Sequence, residues 1–170
     1  MKELAKNISQ IIMAIRSHTN RAFIGSLYYK GTITVVDGVF TMGFDDLLDG
    51  DIIEIFGSKF SDGIHMMKDS DSTYDTIRDE SFKGYIVLIH PPLSTQALLT
   101  MSKYVDTLNN DPALRRKQIG DVSATMHAGT DLVQGFPSTL MSPLNMYRVL
   151  PGNIPREYAN VGINVKIRHG

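Results

Sequence analysis

Between Phe56 and Met67 the chain reads FGSKFSDGIHMM, which sets a Gly-Ser-Lys triplet, an Asp-Gly pair and a histidine within one short span. A phosphate loop needs an upstream glycine before its Gly-Lys-Ser/Thr and a helix behind it, so that backbone amides converge on the anion. Gly57-Ser58-Lys59 lacks that glycine and opens no helical pattern. Ser61, Asp62 and Gly63 are the small residues a tight reversal uses, so the stretch reads as a β-turn and as architecture rather than catalysis. A calcium loop is the nearest alternative chemistry. In DSDSTYDTIRDE, Asp69, Asp71, Thr73, Asp75 and Glu80 fall on positions 1, 3, 5, 7 and 12 of the EF-hand spacing. The sixth position, where that loop turns sharply on glycine, is Tyr74, and the flanks read as strands, so a solvated acidic turn is expected and no metal or other cofactor is assigned.

The five histidines, His18, His65, His90, His127 and His169, form no His-x-x-x-His pair, and no Gly-x-Ser-x-Gly elbow is present. A catalytic set would have to be gathered from distant positions, around His65, Asp69 and Glu80. Arg115, Arg116 and Lys117 make a short basic run that suits phosphate or an acidic partner, and equally a solvated helix face.

The elements that would position these residues follow from pattern and punctuation. Leu4, Ile8, Ile11, Ile12 and Ile15 recur at three- and four-residue steps, which predicts an amphipathic helix ending near SHTNR. From Phe23 to His90 the texture is β-branched, with Asp-Gly and Gly-Ser turns between short runs: GTITVVDGVF, DGDIIEIFGS and KGYIVLIHPP. Five or six short strands in a small antiparallel barrel or curled sheet are expected there. Ser94 or Thr95 caps a second helix carrying Leu98, Met101, Val105 and Leu108. PSTLMSPLNMYRVL predicts a third, with Pro143 in its first turn or kinking it. IGDVSATMHAG reads as irregular or extended, and Val161, Ile163, Val165 and Ile167 alternate as in a strand. The fold class expected is α+β: a helical core from 1–22 and 91–150, an inserted β-module at 23–90, and an extended, strand-forming tail at 151–170.

With 170 residues, 17 basic and 18 acidic, the chain fits one compact domain with no net field to draw it to nucleic acid or an anionic membrane, although a local patch is allowed. The absence of cysteine excludes disulfides, thiolate metal sites and cysteine nucleophiles. Glu3, Asn7, Gln10 and Arg16 interrupt the apolar residues of the first helix, which is therefore neither a signal-peptide core nor a membrane span, and the protein is expected to be soluble.

Taken together, GTITVVDGVF, GDIIEIFGSKFSDGIHMM, DSTYDTIRDESFKGYIVLIHPP and IGDVSATMHAG resemble the head-tail connector, or neck adaptor, proteins of tailed bacteriophages. Gly50, Asp51, Gly57, Ser58, Asp62, Gly63, Asp71, Thr73, Asp79, Glu80, Phe82, Gly84, Pro91 and Pro92 carry the likeness, over about Ile11 to Tyr147. The resemblance implies a structural virion protein without catalysis, present in the host cytoplasm during assembly and in the virion neck afterwards. Such proteins form a homo-oligomeric ring, commonly of twelve subunits, under the portal vertex, and present a surface to a tail, stopper or tail-completion protein.

It also gives the tail a role, because in related adaptors a C-terminal segment packs against the portal protein. Val161, Gly162, Ile163, Asn164, Val165, Lys166, Ile167 and Arg168 would add a strand to a portal sheet edge, with LPGNIPREY as spacer. Arg115, Arg116 and Lys117 would face packaged DNA passing through without being read. The ring interface is expected on the helical face around Met141, Leu144 and Met146. Two alternatives stand beside this reading: a tail-completion or terminator component that binds without needing the tail strand, and a small enzyme built around His65.

Overall fold

The computed structural model describes residues 1–20, 25–110 and 132–148. Arg115–Lys117, IGDVSATMHAG and Val161–Arg168 lie outside them.

Helix α1 (Lys2–His18) forms where the sequence places its apolar stripe: Leu4, Ile8, Ile11, Ile12 and Ile15 are all buried. Burying five such side chains contributes on the order of 10 kcal/mol against the unfolded chain. Glu3 sits at the positive end of the helix and Arg16 and His18 at the negative end, as the backbone dipole favours. Thr19 closes the last turn through both its amide and its hydroxyl, which donate to the Ile15 carbonyl at 2.9 and 2.8 Å.

Five strands follow: β1 (Ser26–Val36), β2 (Val39–Phe40), β3 (Ile52–Phe56), β4 (Gly63–Met66) and β5 (Glu80–Ile89). They form one antiparallel sheet in the order β2-β1-β5-β3-β4. Asp37 and Gly38 join β1 to β2 with φ of 54° and 74°, the doubly left-handed turn that matches strand twist. The sheet curls, and the segment after β4 ties its two edges: Phe40 N donates to Asp71 O, Phe44 N to Ser70 O, and Gly50 N to Met67 O.

Alternation along the strands gives the sheet two faces and hence two cores. One face carries Ile33, Val35, Ile53, Ile55 and Ile86, closed over by Phe40, Phe44, Leu47, Met67 and Ile77. The other presents Ile52, Ile64, Met66 and Ile89 to α1 and α2 (Thr95–Asn110). Ser94 is the cap of α2, its hydroxyl accepting from Ala97 N at 3.2 Å. Between the helices, Asn7 Nδ2 donates to the Ser102 hydroxyl and to Asp106, at 3.0 Å each. Arg16 reaches down from α1 to Glu54 of β3 in a two-pronged ion pair at 3.0 and 2.6 Å.

A two-residue hairpin, β6 (Leu132–Val133) and β7 (Phe136–Pro137), precedes a short helix α3 (Ser138–Met141). The anticipated third helix is thus only one turn long and continues as a 3₁₀ turn from Ser142 to Tyr147, with Pro143 in its opening position. Proline has no amide hydrogen to extend the α-helical ladder, and the tighter turn accommodates it. The architecture is α+β, a curled five-stranded antiparallel sheet with helices packed on one face.

Candidate functional site

The 57–63 turn is held by an internal network that engages the amides of residues 58–61. Gly57 has φ +96°, and a Cβ there would lie 2.7 Å from the Lys83 carbonyl oxygen, so only glycine fits between β3 and β5. Beyond it, Ser58 N donates to Asp62 Oδ1 at 2.7 Å and Lys59 N to Glu80 Oε2 at 3.1 Å. Phe60 N and Ser61 N both donate to the Ser58 hydroxyl, at 3.1 and 2.6 Å. That hydroxyl in turn donates to Glu80 Oε1. Four successive amides therefore already have acceptors, where a phosphate loop would aim them at an anion. Burial raises the Glu80 carboxyl, but the Ser58 hydroxyl and the turn amides outweigh it and hold its pKa below the usual range.

His65 is the most committed titratable group. It is buried on β4, with Nδ1 2.6 Å from Asp75 Oδ2 and Nε2 3.0 Å from the Ser61 carbonyl oxygen. Both partners accept, so both ring nitrogens donate and the ring is the imidazolium. Burial lowers its pKa, yet the Asp75 hydrogen bond and charge dominate and raise it above 6.5. Asp75 responds in the opposite sense: burial raises it, and the His65 bond and charge bring it below 3.8. A ring that donates from both nitrogens has no lone pair for a base or a metal.

The other residues of the proposed catalytic set face elsewhere. Asp69 Oδ1 accepts from Asp71 N, Ser72 N and the Ser72 hydroxyl, and these bonds, the hydroxyl's first, lower its pKa to about 2. His65 pairs with Asp75, Asp69 closes its own turn, and Glu80 closes the 57–63 turn. The same bonds scatter the five EF-hand positions: Thr73 Oγ1 donates to Asp75 O at 2.7 Å, and no cluster of three metal-binding side chains exists among the described residues.

A cleft of about 230 Å³ opens beside His18, lined by Val133, Ser138, Thr139, Met141 and Asn145 among others. His18 Nε2 donates to Asn145 Oδ1 at 2.9 Å, and among the described residues no carboxylate lines the cleft.

The remaining features are surfaces. The expected ring face does not exist as one patch: Met141 and Leu144 are fully buried in the helix-side core, while Met146 is 80% exposed. Met146 follows Leu144 by two residues, a step that turns it off the buried face in an α-helical or a 3₁₀ register alike. Leu48, Phe60 and Tyr85 are among the other exposed large apolar residues. Phe60 packs against Lys59 Nζ at 5.1 Å and the Arg78 guanidinium at 5.7 Å. Tyr85 stacks on Phe56 at 4.7 Å, with the ring planes 19° apart. No helix among the described residues is long and apolar enough to cross a membrane. No family model, curated protein or solved structure matches the chain.

Proposed function

We propose that this chain is a structural subunit of the neck of a tailed bacteriophage, one of a ring of copies that joins the DNA-filled head to the tail, with no catalytic role. The observation that carries the reading is the fate of the signature residues. Gly57, Ser58, Asp62, Glu80 and Gly84, which are among the residues that carry the resemblance to connector proteins, interlock the turn between β3 and β4 with β5. Residues of chemical type are consumed in holding a scaffold, which supports an assembly role.

In this reading the portal protein is one partner and a tail, stopper or tail-completion protein the other. Residues 161–168 supply the portal-binding strand and Arg115, Arg116 and Lys117 face DNA. The deciding experiment is to sequence the DNA on either side of the reading frame and then mix the purified chain with the heads encoded there. Genes for a portal and a major capsid protein upstream and a tail tube downstream, followed by cosedimentation with portal-bearing heads alone, are expected. A metabolic neighbourhood, or equal binding to heads that lack portal, overturns the proposal.

A further inference from the structure

Two exposed patches lie at opposite ends of β3, and their charges are opposite. At the N-terminal end, Leu48 stands 68% exposed between Asp45, Asp46 and Asp49. Its turn is rigid: Leu48 N donates to Asp51 Oδ2 at 2.9 Å, Asp51 N returns a bond to Leu48 O at 3.1 Å, and Gly50 N is fixed to Met67 O at 2.9 Å. Leu47, only 2% exposed, anchors the turn in the core while Leu48 projects from it.

At the other end, the register sets Lys30, Tyr85 and Phe56 side by side across β1, β5 and β3. Directly opposed residues share a face, and so do Lys83 and Tyr85, two positions apart. Lys30, Lys83 and Tyr85 are exposed, and neither lysine makes an ion pair among the described residues. The carboxylates near this end are engaged elsewhere, Asp62 and Glu80 with the 57–63 turn and Asp75 with His65. Lys30 and Lys83 flank the Tyr85–Phe56 stack on this part of the face, where Thr32, Thr34 and Ser81 complete the surface, and Glu54, two positions from Phe56 on the same face, is taken up by Arg16.

We propose that the Leu48 knob of one copy docks on the Lys30–Tyr85–Phe56 row of another, with Asp45, Asp46 and Asp49 against Lys30 and Lys83. The occupant is a second copy because the two surfaces complement each other in both respects: an apolar knob ringed by carboxylates and an aromatic platform flanked by lysines. They cannot meet within one molecule, since the length of β3, about 13 Å, lies between them. A contact between two different surfaces is heterologous and repeats head to tail, closing into a ring or running on as a filament according to its rotation. This deepens the connector reading by naming the subunit contact, and rests on that reading only for closure into a ring. The preformed turn limits the ordering cost of docking, and opposite charges make association sensitive to salt.

Sedimentation velocity on the full chain tests it. The wild-type chain should grow in mass with concentration and shrink again with added salt. Leu48→Asp, and separately the double variant Lys30→Glu with Lys83→Glu, change exposed side chains, should keep the wild-type melting curve, and should each weaken association about tenfold or more. Mixed together, the two variants should form a one-to-one dimer and nothing larger, because each retains the half that the other has lost.

A wild-type chain that stays monomeric at every concentration and salt overturns the proposal, as does a Leu48→Asp chain that assembles normally, or a mixture that stays monomeric or assembles fully. The connector reading fails separately. A chain that self-associates in this way but ignores portal-bearing heads keeps the interface and loses the neck role, and one that binds portal while Leu48→Asp assembles normally does the reverse.

Discussion

His65 is charged because of where its two hydrogen bonds go, and its charge ties the folded state to pH. Its folded pKa lies above 6.5, so the stability it contributes is fully present below pH 6.5 and is lost as pH rises through the folded value. Asp75 is depressed below 3.8, so its contribution is present above pH 3.8 and is lost as pH falls through its folded value. Replacing His65 with glutamine should therefore cost most between these limits, about 1–2 kcal/mol once the half-exposure of Asp75 is allowed for, and progressively less above pH 6.5. Urea unfolding of both chains across pH 4 to 9 reads this directly, and a cost that stays constant to high pH would contradict the imidazolium assignment. A second residue-scale expectation concerns Gly84, where a Cβ would collide with the Phe56 carbonyl oxygen and lie 3.0 Å from the Phe82 ring. Gly84→Ala should cost about 3 kcal/mol in the same assay, since the obstacle includes backbone that cannot rotate away. Ser61-Asp62-Gly63 was readable as a turn from residue type alone. That His65 would choose Asp75, and Ser58 would choose Glu80, was not, because the first pair depends on the segment after β4 folding back along it and the second on β3 and β5 lying side by side.

At the scale of elements, α1, α2 and the β1–β2 hairpin were legible because each follows a local rule: a 3.6-residue stripe, a Ser94 cap, and an Asp-Gly pair between alternating residues. The β6–β7 hairpin was missed although Gln134 and Gly135 have the same left-handed geometry, φ 52° and 81°. Its strands are two residues each, too short to show a period. Nor did the sequence reveal how α1 is keyed to the sheet. Arg16 and Glu54 are both 14% exposed and 38 residues apart, a pairing no spacing rule reaches. Replacing Glu54 with leucine strands a buried guanidinium and should cost about 3 kcal/mol, whereas the double replacement Arg16→Met with Glu54→Leu should recover much of it. Equal losses in the single and double variants, measured by denaturant unfolding, would show that the pair contributes only packing.

At the scale of the whole molecule, the two hydrophobic clusters of the described residues are built from residues 4–144. The alternation from Val161 to Ile167 lies outside the described residues, and its two-residue period is the reason to propose that it adds a strand to another molecule. An extended segment gains affinity by completing main-chain bonds along a partner's sheet edge, so most of its worth should vanish with the strand itself rather than with any one side chain. Deleting residues 161–170 should leave the melting temperature and the salt-sensitive self-association unchanged while abolishing cosedimentation with portal-bearing heads. Point changes at Lys166 or Arg168 should weaken that attachment only a fewfold, because exposed charges at a rim contribute little. Attachment that survives the deletion would move the portal contact onto the folded body, and the tail-completion reading, in which the tail strand is dispensable, would then account better for the molecule. Loss of self-association in the same deletion would instead make the tail part of the subunit contact, in conflict with the Leu48 interface.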